Sequence, residues 1–248
     1  MGAGALGGEG VMTAGKKLAP HVASSTAAAA TPAPAPIAPA YALCDVEFVY
    51  GVGSVPVLSG ACAEFEAGRA HVILGPSGAG KTTVLRLLMG LESPSAGKVA
   101  RPAGARIAAV FQEDRLCDGM TATANIRLPH AGLHGSELRE YVAREREALS
   151  AAGIPADACA RPVRELSGGQ RRRVAILRAL LADADAVFLD EPLRGLDAQS
   201  AARVADLARP LLAQKTVFWV THDPCDADRL PNPVLWAVRD GQVMSVSR

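Results

Sequence analysis

Residues 70–91 read AHVILGPSGAGKTTVLRLLMGL. A short, almost continuous apolar run passes directly through a glycine-rich bend into a stretch whose apolar residues recur every three or four positions. That order predicts a buried strand, a tight loop and an amphipathic helix in immediate succession. Three further apolar runs, RIAAVF (106–111), DAVFLD (185–190) and TVFWV (216–220), are bounded by polar residues and suit strands buried on both faces. Helical spacing returns in residues 82–91, 138–153, 168–182 and 198–214. Strands alternating with helices imply an α/β fold with a mostly parallel central sheet. The earlier segments CDVEFVY (44–50) and ACAEFEAG (61–68) alternate with period two, which adds a small antiparallel β layer.

Composition narrows the function classes. With 26 basic and 25 acidic residues the formal charge is +1, so no global field draws the chain to nucleic acid or anionic lipid. Five cysteines, odd in number and without a CxxC pair, argue against a zinc cluster or a disulfide framework and fit a reduced compartment. No apolar run approaches the roughly 20 residues that span a bilayer. Residues 1–40 are dominated by Ala, Gly, Pro, Ser and Thr and read as a disordered extension. Lys16 and Lys17 precede an alanine-rich stretch, but His21, Ser24, Ser25 and the prolines interrupt any signal-peptide core. A start at Met12 or later is an alternative reading of this segment.

Gly75-Pro76-Ser77-Gly78-Ala79-Gly80-Lys81-Thr82-Thr83 fits GxxxxGK[ST] between a strand and a helix. Its glycines let successive N–H groups turn inward, and the helix start adds a positive dipole end, which together make a cradle for phosphate oxygens. Lys81 would reach the terminal phosphates of a nucleoside triphosphate and Thr82 would ligate Mg²⁺. AVFLDEP (186–192) ends an apolar strand in two acids. Asp190 is placed to serve a metal and Glu191 to face an attacking water. LSGGQ (166–170) opens the next helix, with Ser167 as cap and Gly168, Gly169 and Gln170 following, and makes a second anion nest. Two nests with one lysine loop suggest that the second serves another molecule's nucleotide.

From about Tyr41 to the end, the chain resembles the ATP-binding cassette (ABC) ATPases, of which LSGGQ is the signature. The resemblance implies a P-loop NTPase core with an inserted α-helical subdomain, here about 113–180, within a domain spanning 41–248. It implies ATP and Mg²⁺ as ligands and assigns roles position by position. Residues 75–83 match the Walker A loop and 186–192 the Walker B strand, with Asp190 and Thr82 on the metal side and Glu191 as general base. Gln112 matches the Q-loop glutamine near Mg²⁺, and His222 the switch histidine on the γ-phosphate. Tyr50 stands where an aromatic stacks on adenine, and Asp197 matches the D-loop aspartate. Arg194 departs from the small residue often found there. The resemblance also implies head-to-tail pairing of two cassettes, each lending Ser167, Gly168, Gly169 and Gln170 to the other's nucleotide. The three arginines 171–173 read as a solvated helix face.

Three roles compete on this basis: the energising subunit of a membrane transporter, a soluble ABC ATPase acting on DNA or ribosomes, and a small-molecule kinase. LSGGQ disfavours the kinase. One cassette without sustained heptads favours the transporter, on the cytoplasmic face of the inner membrane, with permease subunits, a second cassette and a solute-binding protein as partners and no nucleic acid. FQEDRLCDGMTATANIRL (111–128) is similar to importers of the nitrate, sulfonate and taurine type, although exporters and lipoprotein-releasing systems share much of it.

Overall fold

A computed structural model describes residues 39–51, 53–130 and 132–247. The expected extension therefore lies outside the described residues except for its last two, Pro39 and Ala40, which already belong to the first strand.

Two sheets organise the chain. β1 (Pro39–Phe48) is central in an antiparallel sheet with β2 (Leu58–Glu66) and β4 (Ala96–Ala100), in the order β2-β1-β4. Between the pairs Leu43 with Ala63 and Val46 with Ala61, β1 carries one residue more than β2, and Asp45 takes φ +52 in that bulge. The larger sheet runs β5-β6-β7-β3-β8-β9. It comprises β3 (Ala70–Leu74), β5 (Ile107–Val110), β6 (Ala186–Asp190), β7 (Thr216–Val220), β8 (Val234–Arg239) and β9 (Gln242–Val246). All neighbours are parallel except β8 and β9, which close a hairpin through Asp240 and Gly241, both at positive φ as a two-residue turn requires.

The apolar runs alternate sides as the pleat dictates. Phe188 and Phe218 face a core shared with Leu43, Phe65 and helix α1 (Lys81–Met89). Val187, Leu189 and Trp219 face a second core, built with α5 (Gly168–Leu180) and α6 (Ala198–Leu212). A third cluster unites α2 (Ala122–Arg127), α3 (Gly135–Ala151) and α4 (Ala156–Cys159) around Ile126, Tyr141, Leu149 and Ile154. Val174 and Leu177 of α5 join this helical cluster, whereas Ile176 and Leu180 of the same helix pack on the sheet. The α5 helix thus divides its apolar surface between two cores.

In the first core the Phe188 and Phe218 rings stack at 4.7 Å and 8°, and both are fully buried. Phe188→Ala is expected to cost about 3–5 kcal/mol of folding stability through lost burial and the cavity left behind. A shift in the urea unfolding midpoint measures it, and a loss below about 1 kcal/mol would mean that the core collapses around the site.

Candidate functional site

The parallel register decides what meets what. Val110 lies beside Leu189, Asp190 beside Val220, and Ile73 beside Val220. The segments that leave these strands, carrying Gln112, Glu191, His222 and Gly75, therefore emerge along one edge. Carboxyl ends of strands in such sheets are where ligand crevices form.

The 75–83 loop is shaped by its glycines. A Cβ on Gly75 would lie 2.6 Å from the Val238 carbonyl oxygen, and one on Gly80 2.8 Å from a Val57 methyl. Gly80 precedes α1 at φ +102 with no side-chain cap, so the first N–H groups of the helix keep no side-chain partner. The Ala79 N–H closes a turn on the Pro76 carbonyl at 3.2 Å. Lys81, 6 % exposed, folds back over the loop and donates from Nζ to the Gly75 and Pro76 carbonyls at 2.8 and 2.9 Å.

Asp190 ends β6 almost fully buried. Its Oδ2 accepts the Thr82 hydroxyl at 2.9 Å, whereas its Oδ1 has no hydrogen-bond partner. Burial pushes this carboxyl above the ordinary carboxylate range; the Thr82 bond pulls the other way, and neighbouring Glu191 adds to the rise. A desolvated carboxylate oxygen without a donor is a high-energy group, and a divalent cation placed between Asp190 and Thr82 satisfies it. The residues present fit Mg²⁺ on that ground.

Glu191 follows at φ +46, a left-handed conformation that breaks the strand's alternation and costs roughly 1–2 kcal/mol. Its Oε1 lies 3.5 Å from Nδ1 of His222, and its Oε2 accepts from Arg194 Nη1 at 3.2 Å. Ser77, Lys81, Glu191, Arg194, His222 and Arg229 line one cleft, with a volume of about 610 Å³. That size suits a small-molecule ligand.

The remaining expected residues stand around this cleft. Tyr50 is 57 % exposed, packs edge-on against Phe48 and shares a 2.8 Å hydrogen bond with the Thr83 hydroxyl, so it is anchored to the first turn of α1. Gln112 is exposed in the loop after β5. Asp197 caps α6, accepting from the Ser200 N–H at 2.9 Å, and that bond holds its carboxyl below the usual range. Ser167 caps α5 in a reciprocal capping box with Gln170, while Gly168 faces open space. The residues 167–170 are not among those lining the Lys81 cleft.

The arginine run corrects the sequence reading. Arg171 pairs with Asp118 at 2.9 Å and Arg173 donates to the Ser200 hydroxyl at 2.8 Å. Arg172 is only 5 % exposed and bonds to the Asp190 carbonyl that ends β6 and to the Phe111 carbonyl just past β5. Its helical spacing to Ala175, Ile176 and Ala179, all buried, places it on the inward face of α5. The composition of the run concealed this.

The family profile described as ABC transporter matches residues 58–194, from β2 through Arg194. An aliphatic sulfonates import ATP-binding protein of Rhodococcus jostii is 37 % identical over 222 residues, covering 88 % of this chain and 78 % of that protein. An Fe(3+) ions import ATP-binding protein of Rhizobium meliloti is 39 % identical over 191 residues, 72 % of this chain but 53 % of the relative, so the chain spans about half of that protein's length. Among solved structures, a dimeric ATP-binding cassette in a post-hydrolysis state bound to ADP and Pi superposes with a TM-score of 0.70 at 27 % identity, covering 84 % of this chain and 99 % of that one. With its strand-end cleft, its LSGGQ helix and these matches, the chain belongs to the ABC transporter family of ATP-binding cassettes.

Proposed function

We propose that this chain binds and hydrolyses ATP and thereby energises a membrane transporter, importing a small solute of the nitrate, sulfonate or taurine type. The observation that carries the reading is the convergence of Lys81, Glu191 and His222 on one cleft beside the Thr82–Asp190 pair. The importer reading draws on the sulfonate-import relative, which matches across 88 % of this chain.

In this reading the ATP phosphates enter the 75–83 loop, and Lys81 exchanges its two carbonyl partners for phosphate oxygens. Tyr50 offers its ring face to adenine. Thr82, Asp190 and Gln112 hold Mg²⁺, which when bound neutralises phosphate charge. Glu191 accepts a proton from the water whose oxygen attacks the γ-phosphorus, while the bond from that phosphorus to the bridging oxygen breaks and ADP leaves. His222 holds a γ-phosphate oxygen. Ser167, Gly168, Gly169 and Gln170 serve the nucleotide of a second cassette, with Asp197 near the shared surface, and ATP binding therefore promotes pairing by mass action. Among the described residues no helix is long and apolar enough to cross a membrane. On the importer reading, drawn from the sulfonate-import relative, the chain docks as a peripheral subunit on permease subunits at the cytoplasmic face of the inner membrane, with a solute-binding protein completing the importer.

Lys81→Ala is expected to abolish ATP hydrolysis in a steady-state phosphate-release assay, and undiminished turnover would remove this loop from the reaction. Glu191→Gln with ATP and Mg²⁺ is expected to elute as a stable dimer on size exclusion and to co-purify with a multi-span membrane protein in mild detergent. Recovery of only ribosomal or nucleic-acid partners would sink the transporter reading.

Asp190 supplies a test on stability. Its carboxyl is raised in the folded chain, so the folded state holds the proton more tightly than the unfolded one. The stability tied to this group is greatest below the unfolded pKa and is lost as the pH rises through the folded value. Asp190→Asn is therefore expected to raise the Tm of the nucleotide-free protein at pH 7, by a gain worth about 1 kcal/mol, while abolishing hydrolysis. The gain should shrink as the pH falls toward the ordinary carboxylate range near ~4. A lower Tm at pH 7 for the variant would contradict the reading of Asp190 as a buried carboxyl whose Oδ1 goes unsatisfied.

A further inference from the structure

The guanidinium of Arg172 makes six hydrogen bonds to segments far from it in sequence. Its Nε donates to the Pro192 carbonyl at 2.9 Å, and its Nη2 to the Asp190 and Glu191 carbonyls at 3.1 and 2.7 Å. Its Nη1 reaches the Phe111 carbonyl at 2.6 Å, the Gln112 carbonyl at 3.4 Å and Asp114 Oδ1 at 3.2 Å. One planar group thus ties the backbone of 190–192 to the backbone of 111–112. Farther along α5, Arg178 grips the same loop through the Asp114 and Arg115 carbonyls at 3.2 and 2.9 Å.

This arrangement is demanding. A buried guanidinium is tolerated only when its donors are satisfied, and here they are met by five carbonyls and a carboxylate. Three of the five carbonyls are those of Asp190, Glu191 and Gln112, the residues read as metal ligand, base and second metal ligand. Glu191 needs such support, because its positive φ persists only where surrounding contacts over-determine the backbone.

We infer that Arg172 is a positioning residue: it fixes the distance between Gln112 and the Asp190–Glu191 pair, and so sets the geometry of the metal and base positions without touching the nucleotide. The inference rests on the ATPase reading above. Lysine cannot replace it, since an ammonium on a flexible stem lacks the rigid fork that spans both segments.

The test compares the full chain with Arg172→Lys in two assays: ATP hydrolysis, and binding of a fluorescent ATP analogue titrated with Mg²⁺ or held in EDTA. For Arg172→Lys, kcat is expected to fall about 10–100-fold and the Mg²⁺ concentration for half-maximal analogue binding to rise about 10-fold, the scale on which lost support of a metal ligand is felt. Analogue binding in EDTA should stay at the wild-type level. Wild-type kcat and Mg²⁺ dependence in the variant would overturn the inference, and so would an equal loss of analogue binding with and without Mg²⁺, which marks a general structural role. If Arg172→Lys does not fold, Asp114→Ala removes one anchor and keeps the guanidinium; it is expected to show the same pattern at about threefold, and no change overturns the inference. Glu191→Gln serves as the control. Full turnover in that variant would end the underlying ATPase reading, whereas an inactive Glu191→Gln beside an unaffected Arg172→Lys ends only the inference about Arg172.

Discussion

The strands β3, β6 and β7 are buried along nearly their whole length, and a strand apolar on both faces can carry polar chemistry only where its backbone leaves the sheet. Everything at the candidate site follows from that constraint. Because the strands are parallel and in register, their exits lie together, and residues far apart in sequence arrive at one edge, where the Thr82–Asp190 and Arg172 hydrogen bonds then tie them together. The paired Phe188 and Phe218 rings and the alternation of Val187 and Leu189 to the opposite side fix the register that brings Asp190 beside Val220.

At that edge the structure accepts local cost. Asp190 is buried with one oxygen unsatisfied, and Glu191 sits in a left-handed conformation beside it. Neither feature helps the isolated chain fold, and each is affordable because the strands beneath are rigid. Lys81 relieves its own buried charge by bonding to two carbonyls of its loop. On the proposed reading a phosphate displaces those carbonyls, as a full negative charge can against two dipoles.

Much of this was legible in the sequence. The four apolar runs became β3, β5, β6 and β7, and the helical spacing at 138–153 and 168–182 marked α3 and α5 to within a few residues, because period and burial agree there. β4 was not legible: its residues AGKVA are mostly exposed and carry no alternation, so only pairing with β1 makes them a strand. The β8–β9 hairpin turns at Asp240-Gly241, a two-residue turn signal that is short beside the phosphate-loop and LSGGQ motifs. Arg172 was misread because a run of arginines suggests solvent, whereas its partners are backbone carbonyls, which no side-chain pattern reveals.

The position of α5 explains why that misreading matters. Its N-terminal Ser167 cap presents the LSGGQ turn, its Arg172 and Arg178 hold the strand exits and the loop after β5, and its Val174 and Leu177 belong to the helical cluster. A displacement of this helix against the sheet would have to stretch six bonds from one guanidinium at once, in an interior where an unpaired donor is expensive. The helical cluster and the strand-end cleft are therefore mechanically joined. One helix, α5, thus packs on α2–α4 through Val174 and Leu177 and bonds to the backbone of Gln112, Asp190 and Glu191 through Arg172.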